Sequence, residues 1–541
     1  MELIMKTLLL ALNSQYIHSN LAVWYLKAAA KQDITVVEHN INMPINSVYG
    51  HILAQTPDVL GISCYIWNIE LVLLLCSDLK KALPGLKIIL GGPEATHNPA
   101  LLQNPDVDYI IKGAGEVAFS QLLQKGGAGD WPCERVIQEQ RLQDLDALPS
   151  PYTDEYFAAC AGKIAYYEAG RGCPFKCAFC LSSLDKCMGG FSLERVKSDL
   201  AKICKNRVKI VKFVDRTFNF DKSRAAEILK FIIENTGEAC FHFEVAPDLF
   251  DDTLLTLLAK APKGKLQIEA GIQTTNPDTC AAINRKTDLA ATKNSITKIL
   301  QAGNVHVHLD LIAGLPFEDL AAFERSFDFV YALRPHCLQV GFLKLLHGTK
   351  LREQADELGI VHRDYPPYQV IKTRHMPADE LVWLERFEQL FDMLFNSRRF
   401  ACTLEYLENF HTPFALFSRL ARDYNPLEKQ SLNSQYQFLL NACAGWADET
   451  TLRQCLAIDF FATNTAHKLP DCLQPQDDCK QAGFEFLKNR ANVEKYLPNH
   501  ASLPPTEIYK RVNFLKQDKA YVFDYSREFA GRYTYYEIDL P

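Results

Sequence analysis

Two series of alternating strand and helix patterns fill the first two-thirds of this chain, and they restrict its fold more than any other feature. In residues 1–135, continuous apolar runs recur at KTLLLAL (6–12), ITVVEHN (34–40), VLGISCY (59–65), KIILGG (87–92) and DYIIKG (108–113). Runs without polar interruption suit strands buried on both faces, hence parallel strands under helices. Amphipathic stretches such as NLAVWYLKAAAKQ (20–32) separate them. This first region is expected to be α/β, a Rossmann-like doubly wound sheet. Residues 136–163, with DALPSPY at 146–152, read as a linker. Residues 164–350 carry a second series of six strands: 166–172, 210–215, 241–245, 266–272, 305–312 and 338–345. Ser192, Asp221 and the Asn276-Pro277 pair supply helix starts between them. Six βα units predict a partial TIM-like (β/α)6 barrel, whose chemistry belongs at the C-terminal strand ends. Residues 351–541 read as a mainly helical extension ending in an aromatic hairpin.

Just after the first barrel strand stands RGCPFKCAFC, in which Cys173, Cys177 and Cys180 have C-x3-C-x2-C spacing. The chain has 17 cysteines, and this trio alone has ligand spacing. Most of the others, such as Cys76, Cys280 and Cys443, sit in apolar contexts and read as small hydrophobes. Three thiolates hold three irons of a 4Fe–4S cluster and leave the fourth open. A structural zinc site needs a fourth ligand, and Cys187 is the remaining candidate for it.

The three-cysteine loop, with aromatic Phe179 before the last cysteine, resembles that of the radical S-adenosylmethionine (SAM) superfamily. The resemblance implies that SAM chelates the open iron through its amino and carboxylate groups. Electron transfer from the cluster then yields a 5′-deoxyadenosyl radical. Phe179 would lie near the adenine. GIQTTNPDTCAAINRKTD resembles the fourth-strand segment of the oxygen-independent coproporphyrinogen oxidase branch. Its Gln273 and Arg285, twelve residues apart, would meet SAM, the arginine at the carboxylate. LDLIAGLP resembles that branch's fifth strand, with Asp310 at the SAM ribose. Glu244, in FHFEVAP, would face the SAM amino group. The chemistry is consistent: guanidinium for carboxylate, carboxylates for hydroxyls and ammonium.

The first region resembles cobalamin-binding domains. These carry D-x-H-x-x-G after the first strand, then a serine, then Gly-Gly. Here His18, Ser63 and Gly91-Gly92 are separated by 45 and 28 residues. The resemblance implies that Ser63, Gly91 and Gly92 line the pocket of the nucleotide tail. Tyr16 and Leu21 stand where the motif has Asp and Gly. Many cobalamin-dependent radical SAM proteins lack the full motif and bind cobalamin without a histidine ligand. His18 is therefore expected not to ligate cobalt. KGAGE (112–116) is similar to the Gly-Glu motif closing the cobalamin domain in that family.

The resemblance implies an enzyme using a 4Fe–4S cluster, SAM and cobalamin to methylate or rearrange an unactivated carbon. A small-molecule or peptide substrate and an electron donor such as flavodoxin or ferredoxin are the expected partners. The alternative is a radical SAM enzyme whose first domain is a docking or RNA-binding module, as in methylthiotransferases. Those place extra cysteines in the first domain for a second cluster; here residues 1–135 hold Cys64, Cys76 and Cys133, and the strands and helices up to residue 113 hold only the first two. A net charge of -7 gives no reason to expect nucleic acid or anionic membranes as partners. No apolar run reaches the ~18 residues of a membrane span. The first residues, MELIMKTLLLAL, read as a strand and not a signal peptide, so a cytoplasmic location is expected.

Overall fold

The computed structural model describes residues 5–30, 32–139, 142–185, 188–428 and 430–540; Cys187 lies outside them. The first sheet contains β1 (Thr7–Asn13), β2 (Ile34–Asn40), β3 (Val59–Ser63), β4 (Lys87–Gly91), β5 (Tyr109–Lys112) and β6 (Val136–Gln138). Their order is β2-β1-β3-β4-β5-β6, all parallel. Alternate β1 side chains enter different cores: Leu9 and Ala11 one, Leu8, Leu10 and Leu12 the other. That division is what an apolar run buried on both faces requires. Strand order reverses between β1 and β3, which opens a crevice at their C-terminal ends.

β6 departs from the sequence expectation, because the sheet runs past the 135/136 boundary into the segment read as a linker. It is a three-residue, half-exposed edge strand, so it carries no apolar run to mark it. The rest of that segment is packed as well. Tyr152 and Tyr156 are buried, and their rings lie 5.5 Å from Tyr167 and 5.6 Å from Trp24. Its prolines and polar residues signal turns, but the tyrosines between them fasten one domain to the next.

The second sheet holds β7 (Ala165–Tyr167), β10 (Ile210–Phe213), β11 (Cys240–Glu244), β12 (Leu266–Gln273), β13 (His306–Ala313) and β14 (Cys337–Phe342). It is parallel, in the order β14-β13-β12-β11-β10-β7. The first barrel strand is shorter than expected from 166–172. After Tyr167 the chain bends, and β8 (Gly170–Arg171) pairs antiparallel with β9 (Gly189–Gly190). The Asp215 carboxylate accepts the Ala169 N–H (2.8 Å) and holds this bend. Along β13, Val307, Leu309, Leu311 and Ala313 are buried in the core, while His306, His308 and Asp310 alternate with them. The polar set therefore lines the lumen.

Asn396 caps the exposed edge of β14. Its amide donates to Leu338 O and accepts from Leu338 N, both at 2.9 Å. It lies in a one-turn π-helix, Asp392–Asn396, that continues helix Ala378–Phe391. A side-chain amide thus replaces the missing neighbouring strand and blocks edge pairing. Two short strands, β15 (Val361–His362) and β16 (Val370–Lys372), precede this helix. The rest of the extension is helical, then closes with β17 (Val512–Lys516), β18 (Ala520–Phe529) and β19 (Arg532–Ile538). The Ala530-Gly531 turn has φ of 51° and 79°, the positive values a tight hairpin needs.

Candidate active site

The cysteine loop leaves β8 through Gly172, whose φ of 93° aims the chain across the barrel mouth. Cys177 is buried, while Cys173 and Cys180 are half-buried. The loop is hung on the segment after β12. Ala178 N donates to Ile283 O (2.9 Å), and the Asn284 amide donates to Lys176 O (2.8 Å). The Thr217 hydroxyl lies 3.7 Å from Cys173 Sγ. Burial pushes the Cys177 thiol up, and the Arg285 guanidinium, 3.6 Å away, opposes this. Among the described residues, Glu269, His308 and Asp310 are the one set of His, Cys, Asp and Glu ligand atoms that converge within 4.8 Å. The three thiols are spread more widely. A single tetrahedral zinc would draw its sulfurs to within roughly 4 Å of one another; a cluster takes its thiolates on separate irons.

Gln273, Arg285 and Asp310, far apart in sequence, meet beside this loop. Arg285 reaches back to donate to the Gly271 carbonyl as well as to Cys177. The register of β12 against β13 slips between Gly271 and Gln273, and Gln273 has a φ of 70°. A Cβ on Gly271 would stand 1.9 Å from the Gln273 side-chain amide nitrogen, so a larger residue there would push the Gln273 amide out of its place. Asp310 is opposite Gly271 in the ladder. Asp310 Oδ1 is paired with His308 Nε2 (3.0 Å), while Gln273 Oε1 and Arg285 Nε are buried without a hydrogen-bond partner. Native proteins rarely leave such atoms unpaired unless a ligand completes them. Glu244 ends β11 close by; burial raises its pKa, with Arg216 opposing. Phe179 is half-buried against the core.

One further layer was not anticipated from sequence. Glu269 Oε2 accepts from His242 (2.8 Å) and Lys212 (3.2 Å), and His308 Nε2 stands 3.0 Å from Asp310 Oδ1. The signal was present in FHFEV, LQIEAGI and VHVHLDLI, where polar residues alternate along barrel strands. Burial works against the Glu269 charge, yet His242, Lys212 and His308 outweigh it and bring its pKa down to about 2 from the usual 4.5. Burial also works against the His308 charge, but the Asp310 carboxylate and Cys337 raise its pKa to about 10. Glu269 therefore stabilises the fold above pH 4.5, and this contribution is lost as pH falls toward 2. Glu269→Gln should lower unfolding free energy by about 2 kcal/mol at pH 7, less than a fully buried pair because the site is partly wet. Urea unfolding of the two proteins checks it.

The C-terminal edge of the first sheet faces the barrel mouth. His18, after β1, is hydrogen-bonded through Nδ1 to the Tyr166 hydroxyl at 2.7 Å. Ser63, at the end of β3, is buried, and its hydroxyl accepts from Asn20 at 3.0 Å. Gly91 leaves open space: the nearest heavy atom to an added Cβ is Ile111 O at 4.0 Å. Gly92 differs, since its Cβ would stand 2.7 Å from Cys64 O. Gly92 thus serves backbone packing, and Gly91 keeps a cradle free at the strand end. Arg171, two residues before Cys173, bridges Glu116 of KGAGE (2.5 Å) and Glu168 (2.9 Å).

Residues 7–123 match the B12 binding domain family, and residues 167–330 match the radical SAM superfamily. The chain is a radical SAM protein with a B12-binding domain. In this radical SAM protein, residues 356–525 match a third family, described as a protein of unknown function (DUF4080). The cobalamin-dependent radical SAM methyltransferase TokK of Streptomyces tokunonensis is 27% identical over 62% of this chain and 54% of its own. The anaerobic magnesium-protoporphyrin IX monomethyl ester cyclase of Rubrivivax gelatinosus is 22% identical over 71% of this chain and 73% of its own. The chain spans about half the length of the first curated relatives it matches. The fold is shared with the cobalamin-dependent SAM radical enzyme OxsB, at a TM-score of 0.57 and 14% identity over 84% of this chain and 79% of that one. It is shared also with the radical SAM methyltransferase TsrM from Kitasatospora setae, at 0.54 and 15% over 69% and 82%. The cofactors of such a chain are a 4Fe–4S cluster, SAM and cobalamin. The residues present fit them: spread thiols beside a guanidinium, orphaned polar atoms next to these, and an open glycine cradle at the strand switch. No helix among the described residues is long and apolar enough to cross a membrane.

Proposed function

We propose that this protein is a cobalamin-dependent radical SAM enzyme that transfers a methyl group to an unactivated carbon. The observation that carries the reading is the pair of orphaned buried atoms, Gln273 Oε1 and Arg285 Nε, next to Asp310 and beside three cysteines below a B12-binding domain. When bound, the cluster and SAM supply a carbon radical and cobalamin supplies the methyl group. Cys173, Cys177 and Cys180 hold three irons and leave one open. Arg285 pairs with the SAM carboxylate, Glu244 with its ammonium and Asp310 with its ribose hydroxyls; Gln273 contacts it beside them and Phe179 covers the adenine. Ser63 and Gly91 line the nucleotide-tail pocket, and Gly92 packs the strand end behind them against Cys64. His18 stays off cobalt, because no Asp stands at position 16 to orient it as a ligand and the partner at its Nδ1 is instead the neutral Tyr166 hydroxyl. The substrate is a small molecule or peptide, the reductant a flavodoxin- or ferredoxin-type donor, and the location cytoplasmic. Carbon–carbon ring closure is a second reading, favoured by the similarity to the cyclase.

The cluster-loaded protein, given SAM, cobalamin, reductant and cell extract without oxygen, should form 5′-deoxyadenosine and S-adenosylhomocysteine together. 5′-Deoxyadenosine alone would favour ring closure, and neither product would refute the enzyme. Electron paramagnetic resonance of bound cob(II)alamin should lack nitrogen splitting. Splitting that vanishes in His18→Ala would overturn the assignment of His18.

A further inference from the structure

The segment after β14 touches both halves of the site. Leu345 N donates to Tyr368 O and Val370 N to Leu343 O, each at 2.9 Å, so residues 345–370 return to the strand they left. Within this loop, Thr349 caps helix Lys350–Glu353, and Leu351 N donates to Ala178 O at 2.9 Å. Ala178 lies between Cys177 and Phe179. At the other end of the loop, the buried Tyr368 hydroxyl donates to Glu94, which is 4% exposed. The Asn98 amide donates to the same carboxylate oxygen at 2.8 Å. Glu94 belongs to helix Pro93–His97, which begins directly after Gly91-Gly92 and is tied to β3 by Glu94 N donating to Cys64 O (3.2 Å). Arg352 lies 4.8 Å over the Tyr368 ring, and the His347 ring is 4.8 Å from it. Gly348, at φ 84°, approaches His97 so closely that a Cβ would stand 2.8 Å from its ring nitrogen.

We propose that residues 345–370 are a strap by which the C-terminal extension fixes the Gly91-Gly92 edge of the cobalamin domain against the cluster loop, with Tyr368 as a positioning residue. The inference rests on the cobalamin reading above. The core that joins the first sheet to the barrel lies on one face of that sheet, whereas helix Pro93–His97 packs into the other core through Ala95, so the hydrophobic seam does not itself hold this helix. Here the tie is a phenol donating to a buried carboxylate across the domain boundary. Without the phenol, Glu94 is a desolvated charge one donor short. The helix then moves outward to reach water and takes the glycine cradle with it. A bound corrinoid loses the wall that retains it, while the cysteines and the residues around Arg285 stay in place.

The test uses the full chain, loaded with cluster and cobalamin, and follows cobalamin release by visible absorbance. The wild type is measured first: failure to take up cobalamin sinks the cobalamin reading itself. With wild-type uptake established, Tyr368→Phe should release cobalamin about tenfold faster or more, with cluster content and SAM affinity unchanged. Glu94→Gln added to Tyr368→Phe should bring release back toward the wild-type rate, because a neutral amide no longer draws the helix into water. General destabilisation predicts the opposite, a double variant worse than the single one. Asn98→Ala, which strips the other donor from the same carboxylate, should repeat the effect should Tyr368→Phe not fold. Wild-type release rates in these variants, or a double variant that releases faster still, overturn the strap and leave the cobalamin reading standing.

Discussion

Replacing Cys173, Cys177 and Cys180 together with alanine should abolish the iron–sulfur cluster. Anaerobic reconstitution of the wild type should give one 4Fe–4S cluster per chain, with a broad charge-transfer absorbance that bleaches on reduction. The triple variant should hold neither iron nor sulfide above background. The loss is expected to be complete because, in the proposed site, the loop supplies every protein ligand and leaves the fourth iron for a small molecule. The fold should survive. Backbone bonds from Ala178 to Ile283 and Leu351 to Ala178 hold the loop without using the thiols. Iron and sulfide retained at wild-type levels in a folded triple variant would show that the cluster, if any, sits elsewhere.

Arg285→Ala should weaken SAM binding by roughly 10- to 150-fold while cluster content stays at the wild-type level. The range corresponds to ~1.5–3 kcal/mol for a charge-assisted contact to a carboxylate. Two consequences of the geometry sharpen the expectation. The guanidinium also donates to Gly271 O and Cys177 Sγ, so its removal loosens the β12 turn that carries Gln273. It further leaves the Cys177 thiol buried without the nearby cation that opposes its raised pKa, so cluster assembly should slow although its endpoint does not change. SAM titration of the reduced, cluster-loaded variant reads the first effect, and the time course of reconstitution reads the second. Unaltered affinity together with unaltered 5′-deoxyadenosine formation would remove Arg285 from the site.

The cores through which the wild type and these variants fold are built on strands readable as apolar runs. Five strands of the first sheet and five of the six parallel barrel strands lie where those runs stand, within a few residues. The capping residues Ser192, Asp221, Asn276 also accept the backbone N–H groups expected of them. The two places where the reading failed share a cause. β6 is short and half-exposed, and β7 breaks off at Tyr167, because an edge strand and a bend owe their existence to a neighbour's backbone or to Asp215, and not to their own hydrophobicity.

For the site, local spacing marked the three cysteines, and the resemblance of GIQTTNPDTCAAINRKTD and LDLIAGLP to known segments singled out Gln273, Arg285 and Asp310. Each of these belongs to a segment whose position follows from its own strand. What sequence alone left undecided were contacts between segments that have no shared period. His18 meets Tyr166 across 148 residues, Arg171 meets Glu116 across 55, and Tyr368 meets Glu94 across 274. Side-chain chemistry names possible donors and acceptors at those positions, but many pairings satisfy it equally. Which pairing forms depends on how two separately folded sheets dock, edge to mouth. That docking is set by the packing of Tyr152, Tyr156 and their neighbours and by the loop returning from β14, a property of assembled surfaces that no short stretch of the chain contains.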